Sequence, residues 1–137
     1  MIVLVTGGRD YRDRAFVFQV LDSFHRPTPI AIPRITKIVH GACGDDADQP
    51  RGPRPYKGAD RWAHEWALEA SVPVDAYPAK WTTLKRAAGR ERNARMLLEA
   101  RPHFVIAFPG NDGTANMVDL ARRHLGPMFV HDLRGPR

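Results

Sequence analysis

The residues able to do chemistry in this chain lie in short polar stretches that each follow an apolar run. The most specific is Pro109-Gly110-Asn111-Asp112-Gly113-Thr114. Its glycines permit positive φ and expose successive N–H groups, Thr114 offers a hydroxyl, and a helix starting there favours an anion. An earlier stretch, Thr6-Gly7-Gly8-Arg9-Asp10-Tyr11, joins two glycines to an arginine. The glycines suit a tight turn and close backbone approach, and the planar guanidinium suits phosphate or carboxylate. Between these come Gly41-Ala42, then Gly58-Ala59-Asp60, then Pro78-Ala79-Lys80-Trp81 followed by Lys85 and Gly89-Arg90-Glu91-Arg92-Asn93. Lys85, Arg90 and Arg92 near a helix start suit a phosphate, and Trp81 suits stacking on a base.

Each stretch also has an ordinary structural reading. Any βα turn can use glycines, Asp60 suits the first turn of a helix, scattered basic residues suit a solvated face, and Trp81 suits a core equally well. Their convergence is what carries weight, because ligands of open parallel sheets bind outside the carboxyl ends of the strands. A pocket built from these loops fits a phosphorylated small molecule with a flat ring. The glycine loop is neither a Walker A motif nor the dinucleotide fingerprint GxGxxG, which argues against an ordinary ATPase or dehydrogenase. No His/Cys cluster has zinc spacing and no Ser–His–Asp arrangement is suggested, so no metal or cofactor is expected. The acid–base candidates are Asp10, Asp60, Asp112, His40 and His64; His40, closing a strand, reads best as a satisfied core histidine.

The elements that must position these loops are legible from periodicity. Ile2–Thr6 reads as a strand buried on both faces. Apolar residues at helical spacing follow over Ala15–Phe24, and Pro27, Pro29 and Pro33 then break any helix. A second strand over Ile35–His40 leads to a helix over Ala59–Ala70. A third short strand spans Val72–Tyr77, a helix Gly89–Ala100, a fourth strand Phe104–Phe108, a helix Thr114–His124 and a closing strand Met128–Val130. Strict alternation predicts an α/β fold: a Rossmann-like three-layer sandwich with a parallel sheet of about five strands, one domain over residues 1–133. Cys43–Lys57, with three prolines and acids followed by bases, reads as a flexible surface insertion. Its Asp45, Asp46 and Asp48 read as solvated charge, lacking the Gly and Glu of a calcium loop, and Arg134–Arg137 as a frayed tail.

The chain has 137 residues, 43% hydrophobic and 26% charged, which suits a globular domain. No apolar run reaches the roughly 18 residues of a membrane span. The first residues run straight into Thr6-Gly7-Gly8 without a basic leader, as a strand does. The single cysteine allows no internal disulfide, and the expected compartment is the cytoplasm. The net charge of +6 invites a polyanion, although an arginine-rich composition accounts for it as well.

At these loops the chain resembles the SLOG superfamily, a Rossmannoid group that includes LOG- and DprA-related proteins, and within it the YspA- and YpsA-related branch. The matching stretches are Thr6–Tyr11, His40-Gly41-Ala42 with Gly58-Ala59-Asp60, Pro78–Trp81, Ala88–Asn93 and Phe108–Thr114; in order and spacing they cover all but the insertion and the tail. The resemblance implies a Rossmann-like sheet, a nucleotide or ADP-ribose-type ligand, and a phage or bacterial source. Two departures matter. Asn111 stands where the family has a second glycine, and Asn tolerates the left-handed conformation. In the phosphoribohydrolase branch the motif continues to a catalytic glutamate, and the matching position here is Met117, whose thioether cannot move a proton.

The primary expectation is therefore a domain that binds or senses a nucleotide-derived phosphorylated small molecule. Its expected ligand-binding residues are Gly7, Gly8, Arg9, Gly41, Gly58, Asp60, Trp81, Lys85, Arg92, Asn93, Pro109, Gly110, Gly113 and Thr114. The alternatives are a hydrolase of the N-glycosidic or phosphoribosyl bond of such a ligand, using a different acid, and a DprA-like single-stranded nucleic-acid binder. A homodimer is compatible with each, and no membrane partner is expected.

Overall fold

A computed structural model of the chain describes residues 1–26 and 34–135. Pro27, Pro29 and Pro33, and the final Pro136 and Arg137, lie outside the described residues. The first strand, β1 (Ile2–Thr6), is the middle of the molecule: Val3, Leu4 and Val5 have no exposed surface. Alternate side chains of a strand point to opposite faces, so an apolar run without alternation demands cover on both. The first helix, α1 (Arg14–His25), supplies part of it with Val17, Val20 and Leu21. Asp13 caps this helix, its carboxylate accepting from the Phe16 amide at 3.0 Å.

The chain then alternates: β2 (Lys37–His40), α2 (Gly58–Glu69), β3 (Val74–Ala76), the one-turn α3 (Trp81–Leu84), α4 (Ala88–Ala100), β4 (Phe104–Ala107), α5 (Asp112–Leu125) and β5 (Val130–Asp132). All pairings are parallel, in the order β3-β2-β1-β4-β5. Val3, Val5, Ile38 and Phe108 pack with α1 and α2 on one face, around Leu21, Ala63 and Trp66. Leu4, Val39 and Val105 pack with α4 and α5 on the other, around Met96, Leu97, Met117 and Ala121. This is the Rossmann-like three-layer sandwich. Among the described residues no helix is long and apolar enough to cross a membrane.

The departures from the sequence pattern are local. The third strand is shorter than Val72–Tyr77 because Pro73 has no N–H to give, although its carbonyl accepts from Ile38 at 2.9 Å. The last strand begins at Val130 rather than Met128: Gly126, at φ +101°, ends α5, and Pro127–Phe129 form a 3-10 turn. A short helix and a 3-10 turn (Lys85–Ala87) occupy the stretch read as loop before α4. Arg134, read as the start of a frayed tail, is held by a two-point contact with the Asp132 carboxylate, both distances 2.9 Å.

Gly58 opens α2 at φ +62°, and a Cβ there would overlap the carbonyl oxygen of Gly8. Gly113 has ordinary φ and open space around it. Gly58→Ala should therefore cost about 3 kcal/mol or more, whereas Gly113→Ala, in the first turn of α5, should be neutral or stabilise by up to about 1 kcal/mol. Urea unfolding of the two variants checks this; equal effects would contradict the assigned backbone.

Candidate functional site

The sheet order makes β1 and β4 neighbours whose following connections leave in opposite directions, so a crevice opens beyond their carboxyl ends. A cleft of about 490 Å³ lies there. Thr6, Gly7, Gly8 and Arg9 line it after β1; Gly41, Cys43, Gly44, Asp45, Arg51 and Asp60 line it after β2. Trp81 of α3, Arg92, Asn93 and Met96 of α4, and Asn111, Gly113 and Thr114 after β4 complete the wall.

Backbone contacts between glycines hold the loops at this spacing. The Gly8 amide donates to the Pro109 carbonyl at 2.9 Å, and the Gly8 carbonyl accepts from Tyr11 and, at 3.3 Å, from Ala59. Any side chain at Gly110 would run into the Thr114 hydroxyl and come within 2.7 Å of the Gly8 nitrogen. Pro109, Gly110 and Gly58 therefore build the junction under the cleft and do not line it. Neither Gly110 nor Gly113 takes positive φ, and Asn111 sits at φ −107°. The expectation of left-handed glycines in this loop is corrected: close approach, at Gly110, is what excludes a side chain. Asn111, at negative φ, needs no left-handed tolerance.

The helix α5 begins without a side-chain cap, and its first turn forms the cleft wall. Its first N–H groups lack intrahelical partners and carry the positive end of the helix dipole. Arg9 and Arg51, both exposed, line the same cleft and take part in none of the ion pairs among the described residues. Trp81 adds a ring that is 43% exposed. One end of α3 is tied to the loop after β2, since the Asp46 carboxylate accepts from the Thr82 hydroxyl at 2.7 Å and Asp48 from the Thr83 amide at 2.9 Å.

Beneath the cleft lies a buried polar group of a different kind. The Asp60 carboxylate accepts from the Cys43 amide at 3.0 Å and from the backbone of Gly41. Arg92 donates to the Gly41 carbonyl and, through Nε, to Asn93 Oδ1 at 3.0 Å. Asn93 in turn donates to the Gly113 carbonyl and to Asn116 Oδ1, both at 3.0 Å, which locks α4 to the first turn of α5. Burial pushes the Asp60 carboxyl up to about 6, against the opposing pull of the Arg92 charge. Burial, with Asp60 beside it, also pushes the Cys43 thiol up to about 11, so it is no thiolate nucleophile.

The fold also carries the expected ligand residue Lys85 away: it is exposed in the 3-10 turn after α3 and is not part of the cleft wall. A basic residue read as near a helix start changes side when a short helix intervenes. Asp46, read as solvated charge, is buried and hydrogen-bonded. Its neighbours Cys43, Gly44, Asp45 and Arg51 line the cleft, so the segment read as an insertion supplies part of the wall. Its acids and Arg51 were the available signal. Met117 is fully buried against Leu4 and Met96, so this position is part of the core. Among the described residues, no group of three or more His, Cys, Asp or Glu side chains could hold a metal ion. Comparison with protein-family models, curated proteins and solved structures gave no match.

The raised Asp60 value has a consequence for stability. The folded chain holds this proton more tightly than the unfolded chain, whose carboxyl titrates near 3.8. Folding stability contributed at this site is thus lost as pH rises from about 4 to about 6, and the full cost of the buried charge persists above that. The difference between Asp60→Asn and the natural chain should grow in favour of the variant across this window, by up to about 3 kcal/mol. Urea unfolding of both at pH 4 and pH 7 measures it, and a difference that shrinks with pH would be incompatible with a buried, protonatable Asp60.

Proposed function

We propose that this chain is a SLOG-like, cytoplasmic domain that binds a phosphorylated, nucleotide-derived small molecule in the cleft beyond β1 and β4. One observation carries the reading: the uncapped start of α5 and the unpaired Arg9 and Arg51 meet on a single concave wall with the exposed ring of Trp81. Amide donors and guanidinium forks recognise phosphate oxygens, and the indole offers a stacking surface for a base. The sequence resemblance of the same loops to the SLOG superfamily points to the same ligand class. Asp45 and Asp60 on the β2 side disfavour a second phosphate there and suit hydrogen-bond donors of a ribose or base.

The test is a stability panel of nucleotides, cyclic dinucleotides and ADP-ribose derivatives, with inorganic phosphate and free nucleosides as controls. A phosphorylated ligand at 100 times its Kd adds about 2.7 kcal/mol to unfolding. Arg9→Ala should weaken that ligand by about tenfold or more, at unchanged stability of the free protein. A well-folded sample that no phosphorylated ligand stabilises would sink the reading.

A second reading, hydrolysis of the N-glycosidic or phosphoribosyl bond, rests on Asp60, whose carboxyl of about 6 on the cleft wall suits an acid–base role near neutral pH. The residue in line with the family glutamate is Met117, so any such activity depends on another group. Release of free base or ribose phosphate, abolished in Asp60→Asn while binding persists, is the expected outcome of this reading. Ligand recovered intact after incubation leaves binding alone.

A further inference from the structure

Between α2 and the stretch that leads into it lies a second cleft, of about 430 Å³, that shares no residue with the first. Arg54, Tyr56, Lys57 and His64 line it, with Arg61 and Glu65 at its side. Arg61 and Glu65 satisfy one another at 3.1 Å, whereas Arg54 and Lys57 take part in no ion pair among the described residues. Pro55 and Leu68 add an apolar margin.

A chain of hydrogen bonds fixes what His64 presents there. The Ala42 amide donates to His40 Nδ1 at 3.0 Å, so that nitrogen carries no proton. A neutral imidazole then bears its proton on Nε2, and His40 Nε2 lies 2.8 Å from His64 Nδ1. His64 Nδ1 must accept, which leaves the His64 proton on Nε2, the nitrogen not engaged by His40. The ring of Tyr56 packs against both imidazoles, with centroid separations of 4.8 Å, and fixes their planes. Burial, with the neighbouring His64 and Arg92, pushes His40 down to about 3, and burial and Arg54 lower His64, so both stay neutral donors.

We infer that the chain carries a second ligand site, in which His64 Nε2–H, Arg54 and Lys57 bind an oxyanion of phosphate type borne on a small molecule. Its apolar margin suits the carbon moiety of a phosphate monoester. The site differs from the first in its donor set: a neutral imidazole held in one tautomer and two exposed cations replace the helix start and the exposed indole. The two are also physically linked. Gly41, whose carbonyl holds Arg92 in the first cleft, immediately precedes Ala42, whose amide sets the His40 tautomer.

The experiment follows the histidine ring nitrogens of the 15N-labelled full chain by NMR while inorganic phosphate, then phenyl phosphate, is titrated at constant ionic strength. The free protein should show His40 and His64 both protonated at Nε2, and saturable shifts at His64 with either probe. Arg54→Gln combined with Lys57→Gln, both on the surface, should weaken the His64 response by about tenfold or more. Arg9→Ala should leave it intact, which separates this site from the first. A His64 proton on Nδ1, the absence of a saturable shift, or an equal response in the double variant would each overturn the proposal. So would a short single-stranded oligonucleotide that moves His64 at much lower concentration than phenyl phosphate, since the occupant would then be a polymer.

Discussion

The backbone of Gly8 is the point on which the rest of this molecule turns. Its amide is committed to the loop after β4 and its carbonyl to the start of α2. Gly58 and Gly110 press so close to it that neither position has room for a Cβ. Three loops from three strands are thereby gathered over the end of β1, which is itself clamped between two apolar layers. Everything proposed for the first cleft inherits this spacing. A junction made of main chain fixes distances without spending side chains, which leaves the exposed Arg9 and Arg51 available to a ligand.

Around that junction the polar side chains fall into two sorts. Asn93 is saturated by its neighbours in α4 and α5, and Arg92 is largely absorbed by Gly41 and Asn93. Both were expected as ligand contacts; both lie on the wall, yet their hydrogen bonds serve to hold it. Arg9, Arg51 and Trp81 have no such commitments and project from it. A buried Asp60 beside a half-buried Arg92 costs stability relative to an apolar pair. Its value lies in fixing the amides of Gly41 and Cys43, and so the path of the chain between two clefts.

The fold was legible because its evidence is periodic. A strand such as Ile2–Thr6 without alternation, followed by helical spacing over Phe16 to Phe24, admits few architectures besides a covered parallel sheet. The glycine loops were legible as a group because parallel sheets gather strand ends at one edge. What the residues could not reveal was contact between segments distant in sequence. His40 and His64 are 24 positions apart and meet only through the packing of α2 on β2. Lys85 was misplaced for the converse reason: the extra turn of α3 rotates it away, and four residues carry too little periodicity to announce a helix. Asp46 belied its charge because backbone and hydroxyl donors, invisible in a sequence, surround it.

The segment from Cys43 to Lys57 is fastened by backbone hydrogen bonds, such as Lys57 to Cys43 and Ala47 to Ala79, and by carboxylates that grip main-chain amides or a neighbouring hydroxyl: Asp45 holds Asp46 and Arg51, Asp46 holds Asp48 and Thr82, Asp48 holds Thr83. Fastening of this kind is indifferent to what the intervening side chains are. Three aspartates hold the rim of one cleft, while the residues between Arg51 and Tyr56 take no part in that hold. Substitution or a change of length there thus alters the outer cleft without disturbing the inner one, an independence built from a handful of hydrogen bonds to main-chain amides.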